Sequence, residues 1–155
     1  MNPGEKQVTI KCRMVRDPGT SVTEPRYATS GSAGMDLAAC LDKPVTLAPG
    51  EIVKIGTGIA IQLPDQNYAA MVFPRSGNAA RHGITLANAV GVVDSDYTGE
   101  ILCPVINLSK EPYTINPGDR IAQLVIVPIT IARLEYVTEL DATERGDRGF
   151  GSTGR

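Results

Sequence analysis

Residues 87–100, ANAVGVVDSDYTGE, bring together the residue types that a chemical site requires. Asn88 carries both a hydrogen-bond donor and an acceptor on one side chain. A run of small apolar residues follows, with a possible bend at Gly91, and the main chain through Val92 and Val93 can offer further polar groups to a flat heterocycle. Asp94 is a carboxylate of the kind that orients and deprotonates water, and Tyr97 can pack against a sugar. The same spacing also fits a plain hairpin closed by an Asp-Ser-Asp turn, and local pattern does not choose between the two.

Three other stretches are unusual for a packed scaffold. In FPRSGNAARHGI, residues 73–84, Arg75 and Ser76 run into Gly77 at the start of a short helical turn. Backbone N–H groups at such a start, with a guanidinium and a hydroxyl beside them, form an anion site. The P-loop spacing and its lysine are absent, and a strand-to-helix turn with an exposed arginine is the plain alternative. In GSAGMDLAAC, residues 31–40, Asp36 lies among small and apolar residues, so it is either a turn aspartate or a buried carboxylate that needs a partner. The chain ends RGDRGFGSTGR, with Phe150 between Gly149 and Gly151. Gly-rich termini usually fray, but a loop that closes over a flat ligand has a use for an aromatic.

The elements that must position these residues are strands. Over 7–15 the apolar residues Val8, Ile10, Cys12 and Met14 alternate with polar ones, which predicts a half-buried strand. Further strands are predicted at 35–41, 51–55, 58–63, 68–73, 84–87, 101–107, 121–127 and 134–137. Only 76–82 reads as a short helix. Pro49-Gly50 and Pro117-Gly118 each precede an acidic residue and a new strand, as type II turns with glycine at positive φ do. Many short strands with 11 prolines and 16 glycines indicate an all-β fold, a jelly-roll-like barrel or sandwich.

Composition narrows the function classes. A chain of 155 residues with 42% apolar content makes one domain with a real core. The net charge of −2 and the scarcity of aromatics (five Tyr, two Phe, no Trp) argue against nucleic acid or an anionic membrane as partner. Cys12, Cys40 and Cys103 form no CxxC pair and each falls in an apolar stretch, which reads as buried reduced thiols in a cytoplasmic protein. A single histidine, His82, excludes mechanisms that need two. The start, MNPGEKQVTI, lacks a signal-peptide pattern, and the apolar segment 121–132 is too short to span a bilayer.

Taken together, AGMDL, PRSGNAARHGI, GVVDSDYTGE, PGDRIAQLVI and RGDRGFGSTG follow the order and spacing of the five motifs of the trimeric dUTPases, so the chain from about residue 30 onward resembles that family. The resemblance implies a jelly-roll-like homotrimer with active sites shared between subunits, a core over 1–137 and an arm over 138–155 that closes over the site. It implies hydrolysis of dUTP to dUMP and pyrophosphate with Mg²⁺ carried by the triphosphate, which lowers dUTP and supplies dUMP for thymidylate synthesis. Asp94 resembles the aspartate that activates water. Asn88 and the run through Val92 and Val93 match the hairpin that reads uracil, Leu102 lies near the base, and Tyr97 packs on deoxyribose where a 2′-hydroxyl would otherwise fit. Arg75, Ser76 and Gly77 match the phosphate loop, Gln123 a residue near the α-phosphate, and Asp36 and Arg120 supporting charges. Arg145, Phe150, Gly151, Ser152 and Thr153 match the closing arm, with Phe150 over the uracil ring.

Two positions depart from the family pattern: Arg148 stands where the first of two glycines is usual, and Asn78 stands where a small or aliphatic residue is usual, a change expected to affect local packing only. Arg145-Gly146-Asp147 also spells a cell-adhesion tripeptide, which the lack of a secretion signal argues against. The rival readings are a dCTP deaminase-like enzyme and a non-catalytic nucleotide-binding module on the same fold. Asp94 with Tyr97 and the Phe150 arm favour the hydrolase.

Overall fold

The computed structural model describes residues 7–15, 21–144 and 146–147. Arg145, Phe150, Gly151, Ser152 and Thr153, together with Arg148, lie outside the described residues.

The chain is almost entirely β. In order it forms β1 (Lys11–Met14), β2 (Arg26–Tyr27), β3 (Met35–Ala38), β4 (Val45–Leu47), β5 (Ile52–Gln62), β6 (Tyr68–Pro74), α1 (Ser76–His82), β7 (Ile84–Leu86), β8 (Gly91–Val93), β9 (Glu100–Asn107), β10 (Tyr113–Ile115) and β11 (Arg120–Pro128). A four-stranded sheet has the order β1-β5-β9-β7, a five-stranded sheet the order β2-β3-β11-β6-β8, and β10 pairs with β4. All the pairings are antiparallel. Leu37, Val72, Ala122 and Leu124 of the larger sheet share one core with Ile55, Ile59, Ile101, Cys103 and Val105 of the smaller. The result is the jelly-roll-like sandwich that the strand pattern predicts.

Local sequence explains much of this. On β9 the buried residues Ile101, Cys103, Val105 and Asn107 alternate with exposed or half-buried ones, the period-two pattern of a strand with one face on a core. The helix falls on Ser76–His82 as predicted and ends at Gly83, which adopts φ 66° and donates its N–H to the carbonyls of Ala79 and Asn78. Gly50 and Gly118 have φ of 79° and 83°, the left-handed conformation that their turns require.

Several expectations are corrected. The two strands predicted at 51–55 and 58–63 are one strand, β5, with a register shift against β9 between Gly56 and Ala60. The bulge lets one strand change its twist without ending its pairing. β1 is not half-buried: all four of its residues are exposed, because it pairs only with β5 at the sheet edge. Cys12 is therefore exposed, while Cys40 and Cys103 are buried. Burial pushes the Cys103 thiol up to about 12. Residues 134–137 form no strand; Leu134 and Tyr136 are 75% and 92% exposed. They pair with no strand among the described residues. β2, β4, β8 and β10, each two or three residues long, are too short to show a period. No helix among the described residues is long and apolar enough to cross a membrane.

Candidate active site

A cleft of about 230 Å³ opens between β8 and the start of β9, lined by Asn88, Gly91, Val92, Val93, Asp94, Tyr97 and Leu102 among others. Seven of the residues singled out in the sequence thus share one surface. β8 hangs on the edge of the larger sheet through Met71↔Val92 and Val72↔Gly91, so Val93 faces the core and Val92, at 60% exposure, faces out. The β9 alternation turns Leu102 outward in the same way.

The approach to β8 is strained. Ala89 has φ 60°, the one non-glycine at positive φ among the described residues, and Val90 N–H donates to Asn88 O at 2.6 Å across it. That three-residue turn is a γ-turn of the rarer hand, and strain of this kind collects at ligand sites. It holds the Asn88 backbone at the cleft mouth. On the other wall, Tyr97 N–H donates to Asp94 O at 3.1 Å and the Tyr97 hydroxyl donates to Glu100 O at 2.9 Å. The Asp94 side chain is exposed and makes no hydrogen bond or ion pair with the described residues, so its oxygens are open to water or ligand.

A second group is ionic. Arg75 Nε lies 2.8 Å from Asp36 Oδ1, and Arg120 Nη1 lies 3.0 Å from Asp36 Oδ2. Register explains the meeting: Asp36 on β3 is opposite Gln123 on β11, which is opposite Phe73 on β6, and Arg75 follows directly as the N-cap of α1. One carboxylate therefore holds two guanidiniums beside Ser76 and Gly77. Gln123 Nε2 donates to Pro74 O at 3.1 Å, tying its amide to the entrance of the same loop. Asn78 does more than alter packing: its Nδ2 donates to Arg120 O at 2.9 Å, fastening α1 to β11.

Sequence reasoning did not find Val72, Leu86, Glu100, Ile101 and Pro104, which also line the cleft. The apolar ones carry no chemical signal; Glu100, two residues beyond Thr98 in the YTGE run, is the one with a polar side chain that a search could have taken up.

The chain matches the dUTPase family over residues 20–154. It is 55% identical over 137 residues to the deoxyuridine 5′-triphosphate nucleotidohydrolase of Idiomarina loihiensis, covering 88% of this chain and 91% of that protein. To the enzyme of the same name from Coxiella burnetii it is 54% identical over 137 residues, covering 88% and 90%. Among solved structures it is similar to the dUTPase of Staphylococcus bacteriophage 80alpha with dUPNHPP, at a TM-score of 0.83 and 27% identity over 95% of this chain and 99% of that one. It also resembles a point mutant of the dUTPase from phage phi11 of S. aureus, described with a structural Mg(II) ion, at a TM-score of 0.76 and 25% identity over 86% and 99%. With the family matched over residues 20–154 and relatives at this identity over most of its length, the chain belongs to the dUTPase family.

Proposed function

We propose that this chain hydrolyses dUTP to dUMP and pyrophosphate, lowering dUTP and supplying dUMP for thymidylate synthesis. The observation that carries the reading is the cleft that joins Asn88, Val92, Val93, Tyr97 and Leu102 to one open carboxylate, Asp94. Asn88 and the β8 main chain read the polar edge of uracil, Leu102 lies beside the base, and Tyr97 packs on deoxyribose. Asp94 accepts a proton from water as the water oxygen bonds to the α-phosphorus. The bond from that phosphorus to the bridging oxygen breaks, and pyrophosphate leaves with the electron pair. Arg75, with Ser76 and Gly77, holds phosphate oxygens, Gln123 orients the α-phosphate and the water, and Asp36 with Arg120 keeps the Arg75 guanidinium in place.

Mg²⁺ would arrive with the nucleotide, next to the phosphate oxygens that Arg75, Ser76 and Gly77 hold, and would supply neutralisation of phosphate charge there.

The chain acts as a homotrimer with shared sites, and residues 138–155 close over the nucleotide, Phe150 on the base and Arg145, Gly151, Ser152 and Thr153 on the γ-phosphate end. Exposed apolar residues outside the sheets, Ile131, Leu134, Tyr136 and Leu140, support a second copy as the cover.

Incubation of the purified protein with dUTP and with dCTP, each with Mg²⁺, tests the reading. Pyrophosphate from dUTP with no ammonia from dCTP is expected. Ammonia release would make the chain a deaminase, and neither product would make it a binding module.

A further inference from the structure

Gly99 lies against the Tyr97 ring. A β-carbon at residue 99 would stand 2.7 Å from Tyr97 Oη, 2.8 Å from Cζ and 3.2 Å from Cε2. Two of these distances are shorter than any van der Waals contact allows, and the three nearest atoms all belong to that one ring. A side chain at this position therefore meets Tyr97 before anything in the core. The requirement for glycine is not conformational, because Gly99 is absent from the positive-φ glycines, namely Gly50, Gly58, Gly83, Gly118 and Gly146. Space for the ring is what the missing side chain provides.

The other half of the seat is rigid. The Tyr97 hydroxyl donates to Glu100 O at 2.9 Å. Glu100 is held from the core side, its Oε1 accepting from Gly58 N–H in the β5 bulge at 2.8 Å. The next residue is held as well, Ile101 O accepting from the buried Thr57 hydroxyl at 2.9 Å. The acceptor is thus anchored, whereas the ring itself is 45% exposed and free to swing away once pushed.

We propose that Gly99 is a positioning residue for sugar choice: its bare α-carbon, with the anchored Glu100 carbonyl, seats the Tyr97 ring at the place where it excludes a 2′-hydroxyl. The proposal rests on the assignment of Tyr97 to the sugar. A displaced ring neither packs on deoxyribose nor closes the space beside C2′, so the preference for dUTP over UTP falls while Asp94 and the phosphate loop are untouched.

The test compares kcat/KM for dUTP and UTP in the wild type, Gly99→Ala, Tyr97→Ala and the double variant. The dUTP/UTP ratio is expected to fall by about tenfold in Gly99→Ala, the size of effect that one misplaced packing group has on specificity. Tyr97→Ala should lower it by at least as much. In the Tyr97→Ala background, Gly99→Ala should change the ratio by less than about twofold, because the group it displaces is gone. A wild-type ratio in Tyr97→Ala overturns the assignment of Tyr97 itself. A collapsed ratio in Tyr97→Ala beside a wild-type ratio in Gly99→Ala, or equal effects of Gly99→Ala in both backgrounds, overturns the role of Gly99. Should Gly99→Ala unfold, Tyr97→Phe removes the hydroxyl bonded to Glu100 O and tests the same seat: a lowered ratio supports it, and an unchanged one overturns it.

Discussion

Arg75 and Asp36 are 39 residues apart in sequence and form a 2.8 Å ion pair through the Arg75 Nε edge. The same carboxylate binds Arg120 with its second oxygen, so a single aspartate sets the direction of both guanidiniums. Arg120 is 54% exposed, but the Arg75 and Asp36 side chains are only 25% and 17% exposed, so removing the carboxylate leaves a partly buried guanidinium without its counter-charge. Asp36→Asn should therefore lower kcat/KM for dUTP by about tenfold or more and also lower the thermal midpoint by a few degrees. Steady-state kinetics beside a melting curve measures both. A large drop in midpoint with normal kinetics would make the pair structural.

Asp94→Asn removes the carboxylate proposed to accept the proton but keeps the size of the side chain. Turnover should fall by at least about 10²-fold, with nucleotide affinity within about tenfold. Single-turnover kinetics with calorimetric binding of a non-hydrolysable dUTP analogue separates the two quantities. Near-normal turnover would place the base elsewhere.

Ala89 offers a contrast within one position. Its φ of 60° is one that glycine adopts freely and β-branched residues resist. Ala89→Gly should leave unfolding free energy unchanged or raise it by up to about 1 kcal/mol, whereas Ala89→Val should cost about 1–3 kcal/mol. The valine variant should also bind nucleotide more weakly, since Asn88 precedes the strained residue. Denaturant melts and analogue binding on both variants test this; equal stabilities would remove the argument from strain.

Cys103 gives a pH dependence. Its thiol is fully buried and burial raises it from 9.0 to about 12. Below pH 9 both folded and unfolded chains keep the proton. Between 9 and 12 only the unfolded chain releases it, so stability falls as pH rises, by up to roughly 1.4 kcal/mol per pH unit. Cys103→Ala should lack this component when its unfolding is compared with the wild type across that range. Parallel curves for the two proteins would mean that Cys103 contributes nothing to the alkaline loss.

Deleting residues 145–155 should leave both sheets intact, as the last strand ends at Pro128. Activity toward dUTP should nonetheless fall by a large factor, because the proposed closure over the nucleotide would exclude water and align the triphosphate. Circular dichroism and kcat/KM on the truncated chain give the answer, and full activity would reduce the tail to a frayed end.

What the sequence determined by itself is what short-range physics encodes. Apolar runs bounded by turn residues marked the long strands such as β9 and β11. The helix at Ser76–His82 was readable because a short polar stretch between two prolific strands ends in a glycine, and the Pro-Gly turns because only glycine takes their φ without strain. Chemical residues in one contiguous run, Asn88 to Tyr97, were legible for the same reason: the chain itself keeps them together.

Tertiary structure decided everything that needed a distant partner. Asp36 was a carboxylate in search of a counter-charge until strand register put it between Arg75 and Arg120, and no local rule carries register. Asn78 passed as a packing change because its acceptor, the Arg120 carbonyl, is 42 residues away. Cys12 and residues 134–137 have the alternation of strands with a buried face. Whether a face is buried depends on what lies across it, and β1 sits at an edge while 134–137 pairs with no strand among the described residues. Gly99 shows the limit most plainly: a glycine is usually read as a bend, and only the position of the Tyr97 ring reveals that its function is to leave room.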